Sequence, residues 1–189
     1  YWMALLIIAA MAMASYILLQ QLMAAQQRDE ALFALTATQK ALSQRVVFLA
    51  NAAPSAPPEH QPALVRSLRE ATGEFERNYD LLLRRTGADP MSPARRDPDS
   101  IGDVLFAKPY HLDYFSVGLA ANGWRFIAAL ETDLKVNGSK GYLAGKETAQ
   151  LDETVAKATM EGFTALGQRI SAAANHRLES MLSMHRTLF

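Results

Sequence analysis

The first nineteen residues, Tyr1 to Leu19, carry no charged side chain, and the first charge in the chain is Arg28. About 20 predominantly apolar residues in a helix match the thickness of a bilayer's hydrocarbon core. An Asp, Lys or Arg at the centre of such a helix would cost roughly 2.5–3.5 kcal/mol on insertion, and none is present. A cleaved signal peptide is the rival reading. Its apolar region spans about 7–15 residues and ends at a small-residue site, for which Ala12-Met13-Ala14 is the candidate. Here the apolar stretch runs on through Met23 and Ala25 into Gln26-Gln27-Arg28-Asp29-Glu30 with no Pro or Gly. Continuity of this kind favours an anchor. Residues 1–25 are therefore read as a transmembrane helix and 26–189 as the body outside the membrane. Tyr1 and Trp2 fit one interface, where amphipathic rings prefer to lie.

Bulk composition narrows the rest. The net charge is zero, so no basic excess points to nucleic acid. Without cysteine, neither a disulfide framework nor a thiolate metal site can form. The chain opens on Tyr1-Trp2 and closes on Leu188-Phe189. It is read as a piece of a longer protein, with a second membrane helix expected after Phe189.

Helical periodicity dominates the body, and no strand-like alternation of useful length occurs. Between Asp29 and Asn51, Leu32, Leu35, Leu42, Val46 and Leu49 make a heptad stripe whose missing member is Gln39. The prolines of Ala52-Ala53-Pro54-Ser55-Ala56-Pro57-Pro58 end this helix. A second helix is predicted from about Pro62 to Arg85, on the stripe Leu64, Leu68, Phe75, Tyr79 and Leu82, with Gly87 as its stop. Residues 87–109 read as a long polar connection, in which Ser100 and Asp103 can cap one short turn before Val104-Leu105-Phe106. A third helix is expected from about His111 to Lys135, with Leu112, Phe115, Leu119, Phe126, Leu130 and Leu134 inward. After the turn chemistry of Asn137–Gly141, a fourth begins near Lys146 and buries Leu151, Val155, Phe163, Leu166, Ile170, Leu178 and Met181. Gly162 and Gly167 mark a close approach or a bend. The predicted class is all-α: an N-terminal transmembrane helix continuing into an antiparallel four-helix bundle. The first and last helices are long enough to bring both ends of the body to one membrane face, with His185, Arg186 and Phe189 meeting it.

One segment carries more than architecture. Thr38-Gln39-Lys40-Ala41-Leu42-Ser43-Gln44-Arg45-Val46-Val47-Phe48-Leu49-Ala50 resembles the first-helix motif of the PilJ-like N-terminal domains of chemotaxis transducers and nitrate/nitrite sensor kinases. That pattern reads roughly Q-R-x-L-S-Q-R-x-x-x-L-A, and Gln39, Leu42, Ser43, Gln44, Arg45, Leu49 and Ala50 match it. The resemblance implies a periplasmic four-helix sensor bundle in a bacterial inner membrane, forming a homodimer through its first helix. It also implies a small anion on the dimer axis, held by the first Arg of the motif from each subunit. Here that position is Lys40, a point charge rather than the planar fork that suits nitrate. The ligand-binding candidates are thus Lys40, Gln39, Ser43, Gln44 and Arg45, with Ser43 and Gln44 one turn of helix on from Lys40. The implied parent is a histidine kinase, a chemotaxis transducer or a cyclic-dinucleotide enzyme. The rival is a non-sensing, membrane-anchored dimerisation bundle, in which Gln39 only fixes register and Lys40 and Arg45 are solvated surface charges.

Other chemistry is thin, and no catalytic residue, metal ligand or cofactor is assigned. His60, His111, His176 and His185 include no pair at i and i+4. Gly141-Tyr-Leu-Ala-Gly145-Lys146 lacks the spacing of a phosphate loop and has Glu147 where Ser or Thr is needed. The carboxylate pairs Asp29-Glu30, Glu74/Glu76 and Asp152-Glu153 fall on predicted helix surfaces, where solvated charge is the default. Trp124 is weighed as a core residue against a lining of a pocket with Arg125.

Overall fold

A computed structural model describes residues 1–88, 100–137 and 153–188, and over these the chain is all-helical. Five helices occur among the described residues: α1 (Trp2–Ala52), α2 (Gln61–Thr86), α3 (Ile101–Phe106), α4 (Leu112–Asn137) and α5 (Glu153–Leu188). The first is one unbroken rod of 51 residues, about 76 Å at 1.5 Å per residue. Its apolar N-terminal stretch is long and apolar enough to cross a membrane, and none of it is buried against the rest of the protein.

Local chemistry sets the helix ends. Pro54 turns the end of α1 into a short 3-10 segment, Ala53–Ser55, because proline has no N–H to donate. Helix α2 starts with Pro62 in its first turn, where a missing N–H costs nothing. It stops at Gly87, whose left-handed backbone (φ 63°) favours a residue without Cβ. Arg84 and Arg85 occupy its last turn, complementing the negative end of the helix dipole. The Ser100 hydroxyl accepts a hydrogen bond from the Asp103 amide at 3.1 Å and caps α3, the short turn expected from sequence. The predicted start of the last helix near Lys146, the Asn137–Gly141 turn and the Gly141–Lys146 segment lie wholly or partly outside the described residues.

Helix α1 packs on α2 and α5, and α4 packs on the same two and touches α1. Arg28 of α1 reaches the Arg85 carbonyl of α2, while Gln39 reaches that of Phe75. Asp29 of α1 meets Arg177 of α5, and Phe33 and Thr36 lie near Gly167. The stripes Leu32, Leu42, Val46 and Leu49 of α1 and Leu68, Phe75, Tyr79 and Leu82 of α2 are buried. So are Leu112, Leu119, Phe126 and Leu130 of α4, and Phe163, Leu166 and Ile170 of α5. Phe163 meets Phe75 and Tyr79 edge to face, with ring centroids 6.2 and 6.3 Å apart. This aromatic knot ties α2 to α5 across the core.

Two sequence expectations need correction. Leu178 is 45% exposed rather than buried, because it lies at the open mouth of a groove between α1 and α5. Trp124 is half-buried: it covers Gly73 and donates its indole N–H to Glu76 at 3.1 Å, satisfying its polar edge at the surface. Gly162 does mark a close approach. A Cβ there would lie 2.8 Å from Leu112 Cδ1, whereas the neighbours of Gly167 stand at 3.8 Å or more.

Candidate functional site

The Gln39–Arg45 segment lies in the middle of α1, and the 100° step between helical residues divides its side chains between two environments. Gln39 and Ser43 are fully buried, Lys40 is half-buried, and Gln44 and Arg45 are exposed. Gln39 donates from Nε2 to the Phe75 carbonyl at 2.7 Å, bridging α1 to α2. Its Oε1 is buried with no partner among the described residues. Ser43 donates to the Lys40 carbonyl at 2.7 Å, within its own helix. The hydrogen-bonding atoms of Gln39 and Ser43 thus face the interior of the chain, while Lys40 is partly and Gln44 and Arg45 are fully open to solvent. Neither Lys40 nor Arg45 makes an ion pair among the described residues.

Further along the core, Tyr79 hydrogen-bonds to Asp113 Oδ1 at 3.1 Å, linking α2 to the first turn of α4. Burial drives the phenol's pKa far above its ordinary value, and the Asp113 charge and hydrogen bond push it the same way. Ser116 faces the same hydroxyl and opposes the shift, although its Oγ makes no hydrogen bond of normal geometry. Thr72 Oγ1 is likewise buried without a partner. Tyr79 is a neutral structural donor over the whole physiological range, which makes it unsuited to proton transfer near neutral pH.

Sequence periodicity placed Tyr79 on the buried stripe but said nothing of its partner. A buried Tyr hydroxyl needs one, and only the fold shows that Asp113, 34 positions away, supplies it. The ion pair of Arg177 with Asp29 joins residues 148 positions apart and had no sequence signal at all. Arg177 Nη1 lies 3.1 Å from both oxygens of Asp29, whose side chain keeps 12% of its exposure against 47% for the arginine. Among the described residues no group of three or more His, Asp or Glu side chains is placed to hold a metal ion.

Two of the grooves formed by the described residues lie beside these contacts. One, of about 420 Å³, lies between α1 and α5 beside the Asp29–Arg177 pair. The other, of about 510 Å³, runs along α2 below Trp124 and is lined mainly by charged side chains, including Glu70 and Asp80. No family model, no curated protein and no solved structure matches this chain. The likeness to PilJ-like domains therefore rests on the residues of the 38–50 segment.

Proposed function

We propose that the chain is the membrane-anchored, extracytoplasmic sensing and dimerisation module of a bacterial transmembrane signalling receptor. Residues 1–25 cross the inner membrane in this reading, and residues 26–189 form an antiparallel four-helix bundle in the periplasm. The observation that carries it is the continuity of α1. An uncharged stretch with none of its surface covered passes without a break into a helix whose inner face is packed. A rigid rod shared by membrane and bundle transmits any displacement of one to the other.

The course of α5 supports the same reading. From the Asp29–Arg177 pair, eleven further residues of α5 rise about 16 Å, to the level of residue 18 of α1. The end of α5 thus lies seven residues past Ala25, level with the apolar stretch itself, so its last turns enter the membrane beside α1 in this reading. Lys40, half-buried and free of any ion pair among the described residues, is the group best suited to hold a small anion where two α1 helices meet, with Gln44 and Arg45 beside it. Gln39 and Ser43 act from behind, fixing the helix that presents the lysine.

A second reading, a bundle that pairs and spaces its neighbours without a ligand, draws on Gln39. A single polar seam residue hydrogen-bonded across helices sets register with no need of ligand. Titration of the full chain in uncharged micelles with nitrate, nitrite and small organic anions separates the two. Saturable binding that Lys40→Ala removes supports the sensor. No binding of any anion, with dimerisation intact, leaves the structural module. Recovery of the expressed chain in the soluble fraction would overturn both.

A further inference from the structure

The α1–α5 groove has a chemistry opposite to that of Lys40 and lies about 15 Å from it along α1, ten residues closer to the apolar end. Its walls are mostly apolar: Phe33 from α1, Ile170 and Leu178 from α5, and, at the end that meets the membrane stretch, Leu22 of α1. Phe33, 51% exposed, and Leu178 leave hydrocarbon facing water across the mouth. At about 420 Å³ the groove lies within the range of small-molecule sites.

Its polar groups are unequally engaged. Both oxygens of Asp29 are held by Arg177, so these two charges answer each other. Glu30 is exposed at the rim and pairs with no cation among the described residues. The amide of Asn175 also lines the groove and makes no hydrogen bond among the described residues. With Asp29 and Arg177 cancelling, the groove carries one net negative charge, beside open acceptors and next to apolar walls.

We propose that this groove binds a primary ammonium carried on a compact apolar body. The three N–H donors of the ammonium meet Glu30 and the Asn175 carbonyl oxygen, and the apolar body lies between Phe33 and Leu178. A soluble amine fits better than a phospholipid headgroup. The phosphate of such a headgroup needs an open cation, and Arg177, the one basic side chain lining the groove, is engaged on both oxygens of Asp29. The inference adds a ligand class to the sensor reading, but binding is measured directly and stands whether or not Lys40 holds an anion.

The test uses the full chain in uncharged maltoside micelles and phenethylammonium as probe, followed by calorimetry. Phenethyl alcohol and phenylacetate are the neutral and anionic counterparts with the same ring. The expected result is saturable binding of one phenethylammonium per chain, with both counterparts at least tenfold weaker. Glu30→Gln, a surface change, weakens binding about fivefold, the ratio that about 1 kcal/mol of exposed charge pairing gives. Ala174→Phe, which fills the groove, abolishes it while far-UV circular dichroism stays unchanged, and Lys40→Ala leaves it intact. Equal affinity for phenethyl alcohol, insensitivity to Glu30→Gln and Ala174→Phe together, or displacement of the probe by stoichiometric phosphatidylethanolamine would each overturn the proposal.

Discussion

Replacing Gln39 by leucine tests the account of the core most directly. Gln39 is the polar member of an otherwise apolar seam, fully buried, with one hydrogen bond made and one acceptor orphaned. An unpaired buried acceptor costs about 1–3 kcal/mol, and the bond from Nε2 to the Phe75 carbonyl contributes about 1 kcal/mol net. Phe75 lies inside α2, so its carbonyl keeps its partner four residues on and is not orphaned by the change. A leucine of similar size adds about 1–2 kcal/mol of apolar transfer. The balance favours Gln39→Leu by about 2 kcal/mol. For a chain of this length that corresponds to a rise of about 4–8 °C in Tm. Gln39→Ala, by contrast, removes the same bond and leaves a cavity between α1 and α2, and loses about 2 kcal/mol. Both values come from thermal and urea unfolding of the full chain in micelles, followed by circular dichroism at 222 nm, a wavelength that reports helix. A fall in Tm for Gln39→Leu would refute the reasoning: it would mean that the amide's contribution to α1–α2 register outweighs its desolvation.

Four further outcomes follow from the same packing. Gly162→Ala places a methyl 2.8 Å from Leu112, a fully buried side chain, and should cost about 1–3 kcal/mol; Gly73→Ala meets the flexible end of Arg77 at 3.4 Å and the Trp124 ring at 3.7 Å, ordinary contact distances, and should gain up to about 1 kcal/mol, both read from urea midpoints. Thr72→Val removes a buried hydroxyl without a partner and should raise stability by about 1 kcal/mol in the same assay. Tyr79 has a raised folded-state pKa, so its stabilisation is complete below the ordinary tyrosine value near 10 and declines as pH rises past it, where only the unfolded chain releases the proton. The stability difference between the wild type and Tyr79→Phe should therefore shrink above pH 10, by up to about 1.4 kcal/mol per pH unit; a difference that is constant with pH would remove the phenol from the account.

Much of the helical plan was legible in residue order because its causes are local. The uncharged run 1–19, the stripes of α1, α2 and α4, the stop at Gly87 and the Ser100 cap all depend on neighbours within a turn or two. An apolar residue at a seam position needs only helical periodicity to show which way it points. The sites were different. Gln39, Lys40, Ser43, Gln44 and Arg45 form one cluster in sequence, yet the rotation of the helix buries Gln39 and Ser43 and leaves Gln44 and Arg45 in water. Tyr79 with Asp113 and Asp29 with Arg177 are pairings that chain order does not encode.

Residue order alone thus determined that this chain is helical, where its described helices end and which end is fit for lipid, since backbone propensity and hydrophobic period act over a few residues. Tertiary structure decided which polar groups are enclosed, which charges meet and where a groove opens between α1 and α5. Burial and pairing depend on surfaces brought together from positions up to 148 residues apart, and no local pattern specifies them.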